Sequence, residues 1–149
     1  MMGRHGFKGS NMAHQSILEF STTGRGTREI TGEVAAVVAA STLQCGLVHV
    51  FVQHTSCSLL LTENADGDVR RDLETIVARL APDGDPAYRH DAEGPDDMSA
   101  HGRSMLTDTA LTIPVGAGRM LLGTWQGIYL WEHRTAPHRR RVVVTVLGG

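Results

Sequence analysis

Apolar and polar residues alternate between positions 47 and 54, and this pattern constrains the fold more than any other part of the chain. Val48, Val50 and Val52 share one parity with His54. Since successive side chains of a β-strand point to opposite faces, the pattern predicts a strand with two different faces. The three valines mark the face toward the core, so we expect His54 to lie on that side as well.

Other apolar runs bounded by turn residues predict further short strands, and helical periodicity appears between them. The clearest helix is predicted at 66–80, a second at 33–43 after Thr31 as an acceptable N-cap, and a short one at 98–107. The additional strands are predicted at 16–21, 58–62, 111–115, 119–124, 128–132 and 141–147. This order predicts one α+β domain with a mainly antiparallel sheet and two to three helices packed on it.

The size and charge of the chain limit its domain count and its partners. Its 149 residues, 41% of them hydrophobic, suffice for a single domain, which we assign to 12–149. The Gly-rich stretch 1–11 is interpreted as a disordered tail or an expression remnant. A net charge of -2 predicts no nucleic-acid partner. Without a signal pattern or about 20 consecutive apolar residues, we expect a cytoplasmic protein that does not interact with membranes.

Polar residues follow the two central predicted strands. His54-Thr55-Ser56 comes at the end of the first, and Glu63-Asn64 comes at the end of the second, just before the predicted helix. These side chains could line a site, with Glu63 as an acid or base. The alternative is structural, because Asp66 can cap the helix and His54 can be a hydrogen-bonded core histidine.

The polar passage at 83–97 carries the strongest set of potential metal ligands. If Asp97 caps or opens the following helix, its carboxylate and the imidazole of His101 lie one turn apart on the same side. His90 would add a second nitrogen, and two nitrogens with one oxygen suit Zn²⁺ or Mn²⁺. The alternative is a polar loop with exposed acids and histidines. Long irregular stretches in compact domains are usually functional or disordered, and the composition here favours function.

Two further segments are candidates for substrate binding. Gly123-Thr124-Trp125-Gln126-Gly127 joins two predicted strands, and its tryptophan could stack on a flat ring or fill a subunit interface. Positive charge concentrates before the last strand, and guanidinium groups suit phosphate oxygens. The alternative for this basic cluster is a solvated turn or a salt-bridged subunit contact. Its members are Arg134, His138, Arg139, Arg140 and Arg141.

Several of these strings resemble the YjbQ-like family, also called the secondary thiamine-phosphate synthase family. The likeness spans positions 15–148, and its motifs are His54-Thr55-Ser56, Glu63-Asn64-Ala65-Asp66, His90, Glu93-Gly94-Pro95-Asp96-Asp97-Met98, His101 and Gly123-Thr124-Trp125-Gln126-Gly127. The resemblance implies an α+β fold centred on a β-sandwich, assembly as a homotrimer, and a polar cleft expected to bind a metal. It also implies a secondary synthase activity that joins an aminopyrimidine diphosphate to a thiazole phosphate and releases diphosphate.

Residue types and this resemblance together lead to the hypothesis of a metal-assisted transferase acting on a phosphorylated small molecule. A divalent ion (Zn, Mg or Mn) would be held by His54, His90, Asp97 and His101. The candidate catalytic residues are Glu63, Glu93 and His54. The candidate substrate-binding residues are Thr55, Ser56, Asn64, Trp125, Gln126, Arg139 and Arg141. The alternatives are a metal-dependent phosphoester hydrolase and a non-enzymatic trimeric protein that binds a metal or a small molecule.

Overall fold

The computed structural model describes residues 12–149, so the predicted tail at 1–11 lies outside the described residues. Eight strands and three helices form one domain along these residues. Their order is β1 (Ala13–Ser21), β2 (Gly26–Glu29), α1 (Thr31–Ser41), β3 (Cys45–Val52), β4 (Cys57–Glu63), α2 (Gly67–Leu80), α3 (Asp97–Leu106), β5 (Ala110–Gly116), β6 (Arg119–Met120), β7 (Gln126–Glu132) and β8 (Arg139–Gly148).

The strands form two sheets whose paired neighbours are all antiparallel. The five-stranded sheet has the order β1-β8-β3-β5-β6, and the three-stranded sheet has the order β2-β7-β4. Inner-face residues of both sheets belong to one hydrophobic core together with α1. The predicted α+β class, with mainly antiparallel strands and helices packed on them, is confirmed.

Valine dominates the inner face of the five-stranded sheet. The two central strands pair so that Val50 lies opposite Val144, and both side chains are fully buried. Branched side chains pack well on a pleated surface, so this face buries apolar area efficiently. The same alternation continues through Val48, Val52, Val142 and Val146. Because the inner face is apolar, the polar candidates are confined to the strand ends and loops.

The helix ends follow capping chemistry at one helix and depart from it at another. Asp66 caps α2, since its side chain accepts a 2.9 Å hydrogen bond from the backbone N–H of Asp68, as the structural interpretation of that residue predicted. Thr31 was predicted as the cap of α1, which is wrong. It is the first helical residue, and its hydroxyl donates to the Glu29 carboxylate at 2.9 Å.

Within residues 12–149, no helix combines the length and apolar character needed to cross a membrane.

Three strand predictions differ from the structure. The short strand β2 has no alternating apolar pattern and exists through its pairing with β7. The strand predicted at 119–124 is reduced to Arg119–Met120. β3 ends at Val52, so His54 lies beyond the strand, and the prediction that it extends the valine face is wrong. The backbone turns there because the chain must cross from the five-stranded sheet to β4.

We expect Gly46→Ala to lower the free energy of unfolding by at least about 2 kcal/mol, because its backbone is strained for any residue with a Cβ. Gly46 has a φ of +156°, and an added Cβ would lie 1.9 Å from the carbonyl oxygen of Leu147. The matched control is Gly32→Ala in α1, where an added Cβ meets no atom within 4 Å. That change should raise stability by up to about 1 kcal/mol. Urea unfolding at equal protein concentration measures both, and equal midpoints for the two variants would contradict the prediction.

Candidate metal centre

Asp97 and His101 converge at the start of α3. Asp97 is the first residue of the helix, and its side chain is 3% exposed. The Nε2 atom of His101 lies 3.2 Å from the Asp97 Oδ2 atom, as the spacing of four residues predicts. The predicted convergence of this pair is therefore found in the structure.

His90 reaches the same carboxylate oxygen from the loop between α2 and α3. Its Nε2 atom lies 2.6 Å from Asp97 Oδ2, and its ring centroid is 5.4 Å from that of His101. One ligand atom from each of His90, Asp97 and His101 lies within 4.8 Å of the others. Of the residues described, these are the ones that form such a group of three. We call His90, Asp97 and His101 the His-Asp cluster.

The backbone fixes which nitrogen of His101 faces the cluster. Its Nδ1 atom lies 2.9 Å from the carbonyl oxygen of Thr55, which can only accept, so Nδ1 must donate. A neutral His101 then directs the lone pair of Nε2 at Asp97 Oδ2, which is also an acceptor. Two acceptors at 3.2 Å require a proton or a cation between them. Metal-binding histidines typically donate their second N–H to a carbonyl in this way, so the arrangement fits a metal ligand.

The donor set also fits a divalent ion. Two imidazole nitrogens and one carboxylate oxygen suit Zn²⁺ or Mn²⁺ better than Mg²⁺, which prefers oxygen ligands. Three protein ligands would leave coordination positions for water or substrate, as in catalytic zinc sites. The loop side of the cluster is open, since the side chain of His90 is 47% exposed. Glu93 adds a carboxylate oxygen 3.9 Å from His90 Nε2.

Arg134 binds two neighbouring acids, and the pKa of each carboxyl is lowered. Burial alone would raise the pKa of Asp96, but hydrogen bonds from the backbone of Thr135 and from Arg134 lower it to about 2. Burial would likewise raise the pKa of Asp97, but hydrogen bonding to His90 and the positive charge of Arg134 lower it. Asp97 is therefore a carboxylate at neutral pH. Sequence reasoning placed Arg134 in a basic cluster for phosphate and missed this pairing, which joins residues distant along the chain.

His54 was predicted as a further metal ligand, but it has a different environment. Its Nε2 atom accepts a 2.9 Å hydrogen bond from the backbone N–H of Arg141. Burial and the positive charges of Arg140 and Arg141 lower the pKa of His54. Among the described residues, His54 is not part of the group formed by His90, Asp97 and His101. The adjacent residue, Thr55, does contact that group, because its carbonyl oxygen accepts a hydrogen bond from His101.

The remaining candidates occupy other parts of the fold. Glu63 is the last residue of β4 and pairs with Gln126 of β7. The turn at Thr55 precedes the other end of β4, so the length of this seven-residue strand, about 20 Å, separates the pair from that turn. Asn64 and Trp125 lie at that distal end, where the Asn64 N–H donates to the Trp125 carbonyl. The Glu63 carboxylate accepts from the backbone N–H of Asp66 at 3.0 Å. Within one chain, these four residues are not brought to the His-Asp cluster.

The predicted basic cluster is divided among three environments. Arg140 is buried against Glu132, and its Nη2 atom also donates to the hydroxyl of Ser56 at 3.0 Å. Arg134 contacts Asp96 and Asp97 at the start of α3. Arg139 and Arg141 are exposed at the start of β8, and Arg141 lies 3.6 Å from Glu19. Ser56 therefore has a structural partner, while Arg139 and Arg141 remain accessible to a ligand.

We expect Asp96→Asn to flatten the dependence of stability on pH between about pH 5 and 3. The folded pKa is about 2, below the ordinary 3.8, so the unfolded chain takes up this proton first as pH falls. The stabilisation is present above pH 4 and is lost as pH falls toward 2. The wild type should lose about 1 kcal/mol from this group between pH 5 and 3. Urea unfolding at stepped pH measures it, with Asp85→Asn in the same loop as control. Parallel pH profiles for wild type and Asp96→Asn would contradict the assignment.

Comparison with known proteins places the chain among proteins of this architecture. The family model described as "UPF0047 protein YjbQ-like" matches residues 16–149. The chain is 50% identical to UPF0047 protein sll1880 of Synechocystis sp. over 91% of its own length and 92% of that protein. It is 43% identical to UPF0047 protein YjbQ of Escherichia coli O157:H7 over 92% of its own length and 99% of that protein.

Solved structures agree with the fold described above. The conserved hypothetical protein TT1486 from Thermus thermophilus superposes with a TM-score of 0.79 at 39% identity, covering 89% of this chain and 99% of that one. The YbjQ-like protein SSO2532 from Sulfolobus solfataricus has a TM-score of 0.81 at 21% identity, a likeness of fold alone, over 92% and 99% of the chains. The chain belongs to the UPF0047 protein YjbQ-like family.

Proposed function

We propose that the protein is a cytoplasmic metal-dependent transferase of the thiamine-phosphate synthase type, and that His90, Asp97 and His101 hold the ion. The observation that carries the proposal is the pair of acceptors at 3.2 Å, His101 Nε2 and Asp97 Oδ2, with His101 oriented by a backbone carbonyl. This arrangement is costly without a cation or an extra proton and favourable with one. When bound, a divalent ion would stabilise the negative charge of a departing diphosphate.

Residues around the cluster would accept the proton released when the new bond forms and would keep Asp97 charged. Glu93 is the candidate proton acceptor, because its carboxylate is 65% exposed and lies 3.9 Å from His90 Nε2. The pKa of Asp97 is lowered by hydrogen bonding to His90 and by further contacts that include Arg134, so the carboxylate would remain a ligand at neutral pH. The substrate would reach the cluster from the loop side, where His90 is exposed.

A second copy of the chain would supply the other candidate residues. Trp125 is 61% exposed at the distal end of β7, about 20 Å from the metal site of its own chain. We propose that homotrimer formation brings Trp125 and Gln126 of one copy toward the His-Asp cluster of the next, where the indole would stack on the pyrimidine ring. Arg139 and Arg141, exposed on β8, would bind phosphate oxygens.

The outer face of the five-stranded sheet suits contact between copies. Ile17 and Phe51 lie in one cross-strand row on either side of Val143, and Leu47 pairs with Leu147 in another row. These four large side chains are 43–50% exposed: Phe51 43%, Leu47 47%, Ile17 48% and Leu147 50%. Single exposed apolar residues are normal, but these two rows lie on one face of the sheet, separated by the polar pair of His49 and Thr145, and clustered apolar groups of this kind typically mark an interface.

We expect His101→Ala to abolish stoichiometric binding of Zn²⁺ and Mn²⁺ and to reduce synthase turnover at least about 100-fold, because one of three ligands is lost. Inductively coupled plasma mass spectrometry of the purified protein measures the metal, and product formation from the aminopyrimidine diphosphate measures turnover. The matched control is His14→Ala on β1, which should retain both. Wild-type metal content and turnover in His101→Ala would refute the assignment.

The same preparation separates the alternative functions. A wild-type protein that binds the metal and cleaves a phosphoester panel, but makes no carbon–nitrogen bond, is a hydrolase at this site. A protein that retains metal and a phosphorylated ligand without turnover is a binding protein. The three-ligand site leaves room for water in each case, so this comparison tests the reaction and not the site.

We expect Ile17→Lys to convert the homotrimer to monomer, since it places a charge in the apolar rows of the outer sheet face. The control is Ile76→Lys on α2, where the side chain is 50% exposed compared with 48% for Ile17. Sedimentation velocity at matched protein concentration measures the oligomeric state. A monomeric wild type, or equal dissociation by both substitutions, would contradict the proposed interface.

A further inference from the structure

Arg134 joins three parts of the loop that carries the metal site. It lies two residues beyond the end of β7, and its side chain is 18% exposed. Its Nε atom donates to Asp96 Oδ2 at 3.0 Å, its Nη1 atom to Asp97 Oδ1 at 2.8 Å, and its Nη2 atom to the carbonyl of Glu93 at 3.1 Å. One guanidinium thus fixes both acids and the loop before them, using the planar fork that distinguishes Arg from Lys.

The hydrogen bond from Arg134 gives the two carboxylate oxygens of Asp97 different partners. Oδ1 accepts from Arg134 at 2.8 Å, whereas Oδ2 faces His90 at 2.6 Å and His101 at 3.2 Å. The side chain is 3% exposed, so it is not free to rotate into solvent. Arg134 therefore determines which oxygen is presented to the two imidazoles.

The Asp96 side chain binds Arg134 and does not cap the helix that follows it. It occupies the N-cap position of α3 but makes no capping hydrogen bond, in contrast to Asp66 at the start of α2. Its Oδ2 atom instead accepts from Arg134 and from the N–H and hydroxyl of Thr135, at 2.9 Å and 3.1 Å. A lost cap typically costs about 1 kcal/mol. The chain forgoes that stabilisation at the one helix that carries two candidate ligands.

We propose that Arg134 is a positioning residue for the metal site, holding Asp97 Oδ1 so that Oδ2 remains available as a ligand, with Asp96 anchoring the guanidinium. This inference rests on the proposed metal centre and adds to it a residue that does not touch the ion. Outer hydrogen bonds that orient ligands typically contribute about 10- to 100-fold to metal affinity. Arg134 is thereby removed from the phosphate-binding set suggested by the basic sequence around it.

The test is a Co²⁺ titration of the intact protein, since bound Co²⁺ has a visible absorption spectrum that reports its ligand geometry. We expect Arg134→Gln to weaken the Kd for Co²⁺ about 10- to 100-fold and to alter the spectrum at saturation. Arg134→Lys keeps the charge but cannot make the three-way fork, so its Kd should lie between those of Arg134→Gln and wild type. An altered spectrum at saturation would not follow from a general loss of stability, because it reports the ligand geometry of the bound, folded protein.

Arg25→Gln is the matched control. Arg25 also makes a fork to the same loop, with Nη1 and Nη2 bound to Asp83 at 2.7 Å and 2.9 Å and Nε bound to the His133 carbonyl at 3.0 Å, but it does not contact Asp97. Its loss should leave the Co²⁺ spectrum unchanged and the Kd within about threefold of wild type, since no ligand is reoriented. If Arg25→Gln weakens Co²⁺ binding as much as Arg134→Gln, the effect is loosening of the loop and the positioning role is overturned.

The outcomes separate this inference from the proposed function. Wild type and Arg134→Gln with equal Kd values and spectra overturn the positioning role and leave the metal site intact. A wild type that binds no Co²⁺ overturns both. Circular dichroism in the near ultraviolet checks the fold of each variant. If Arg134→Gln does not fold, Arg134→Lys carries the comparison, and a wild-type Kd and spectrum for it overturn the inference.

Discussion

A buried ion pair between the two sheets is the contact on which the geometry of the His-Asp cluster depends. Glu132 ends β7 of the three-stranded sheet, Arg140 lies in β8 of the five-stranded sheet, and the residues are 1% and 4% exposed. Burial alone would raise the pKa of Glu132, but the guanidinium of Arg140 and the hydroxyl of Thr22 lower it. Removing one partner of such a pair typically costs about 3–5 kcal/mol, because the other charge is left buried. The two sheet ends are thereby fixed relative to each other.

Two chain segments lead from this ion pair to the His-Asp cluster. Arg140 also binds the carbonyl and hydroxyl of Ser56, and the adjacent residue, Thr55, orients His101. The backbone beyond Glu132 continues to Arg134, which orients Asp97. The three cluster residues themselves lie on a loop and a short helix, but the groups that orient them are attached to the sheets. This division explains how an irregular loop can hold defined ligand geometry.

The sequence predicted what depends on local spacing and missed what depends on pairing between distant residues. Alternation located β3 and β8, and the spacing of four residues brought Asp97 and His101 together. The strand β2 was not predicted, because its four residues have no alternating apolar pattern and form a strand through pairing with β7. Arg134 was assigned to a basic cluster because it is close in sequence to Arg139, although β7 and β8 direct the two to different surroundings. Likewise, Trp125 and His101 belong to the same set of family motifs, but His101 contacts Thr55 before β4 and Trp125 contacts Asn64 after it.

The helix that carries the ligands is held by its surroundings more than by its own sequence. α3 has no capping bond, and it contains Gly102, a residue that disfavours helix by about 1 kcal/mol relative to Ala. That glycine has a packing reason, since an added Cβ would lie 3.3 Å from the Cβ of Ala81 at the end of α2. The helix therefore forms where it can pack closely, with Arg134 bound to its first residue and Thr55 bound to His101 one turn later. The contacts that hold α3 in place are therefore the same contacts that orient Asp97 and His101 toward each other.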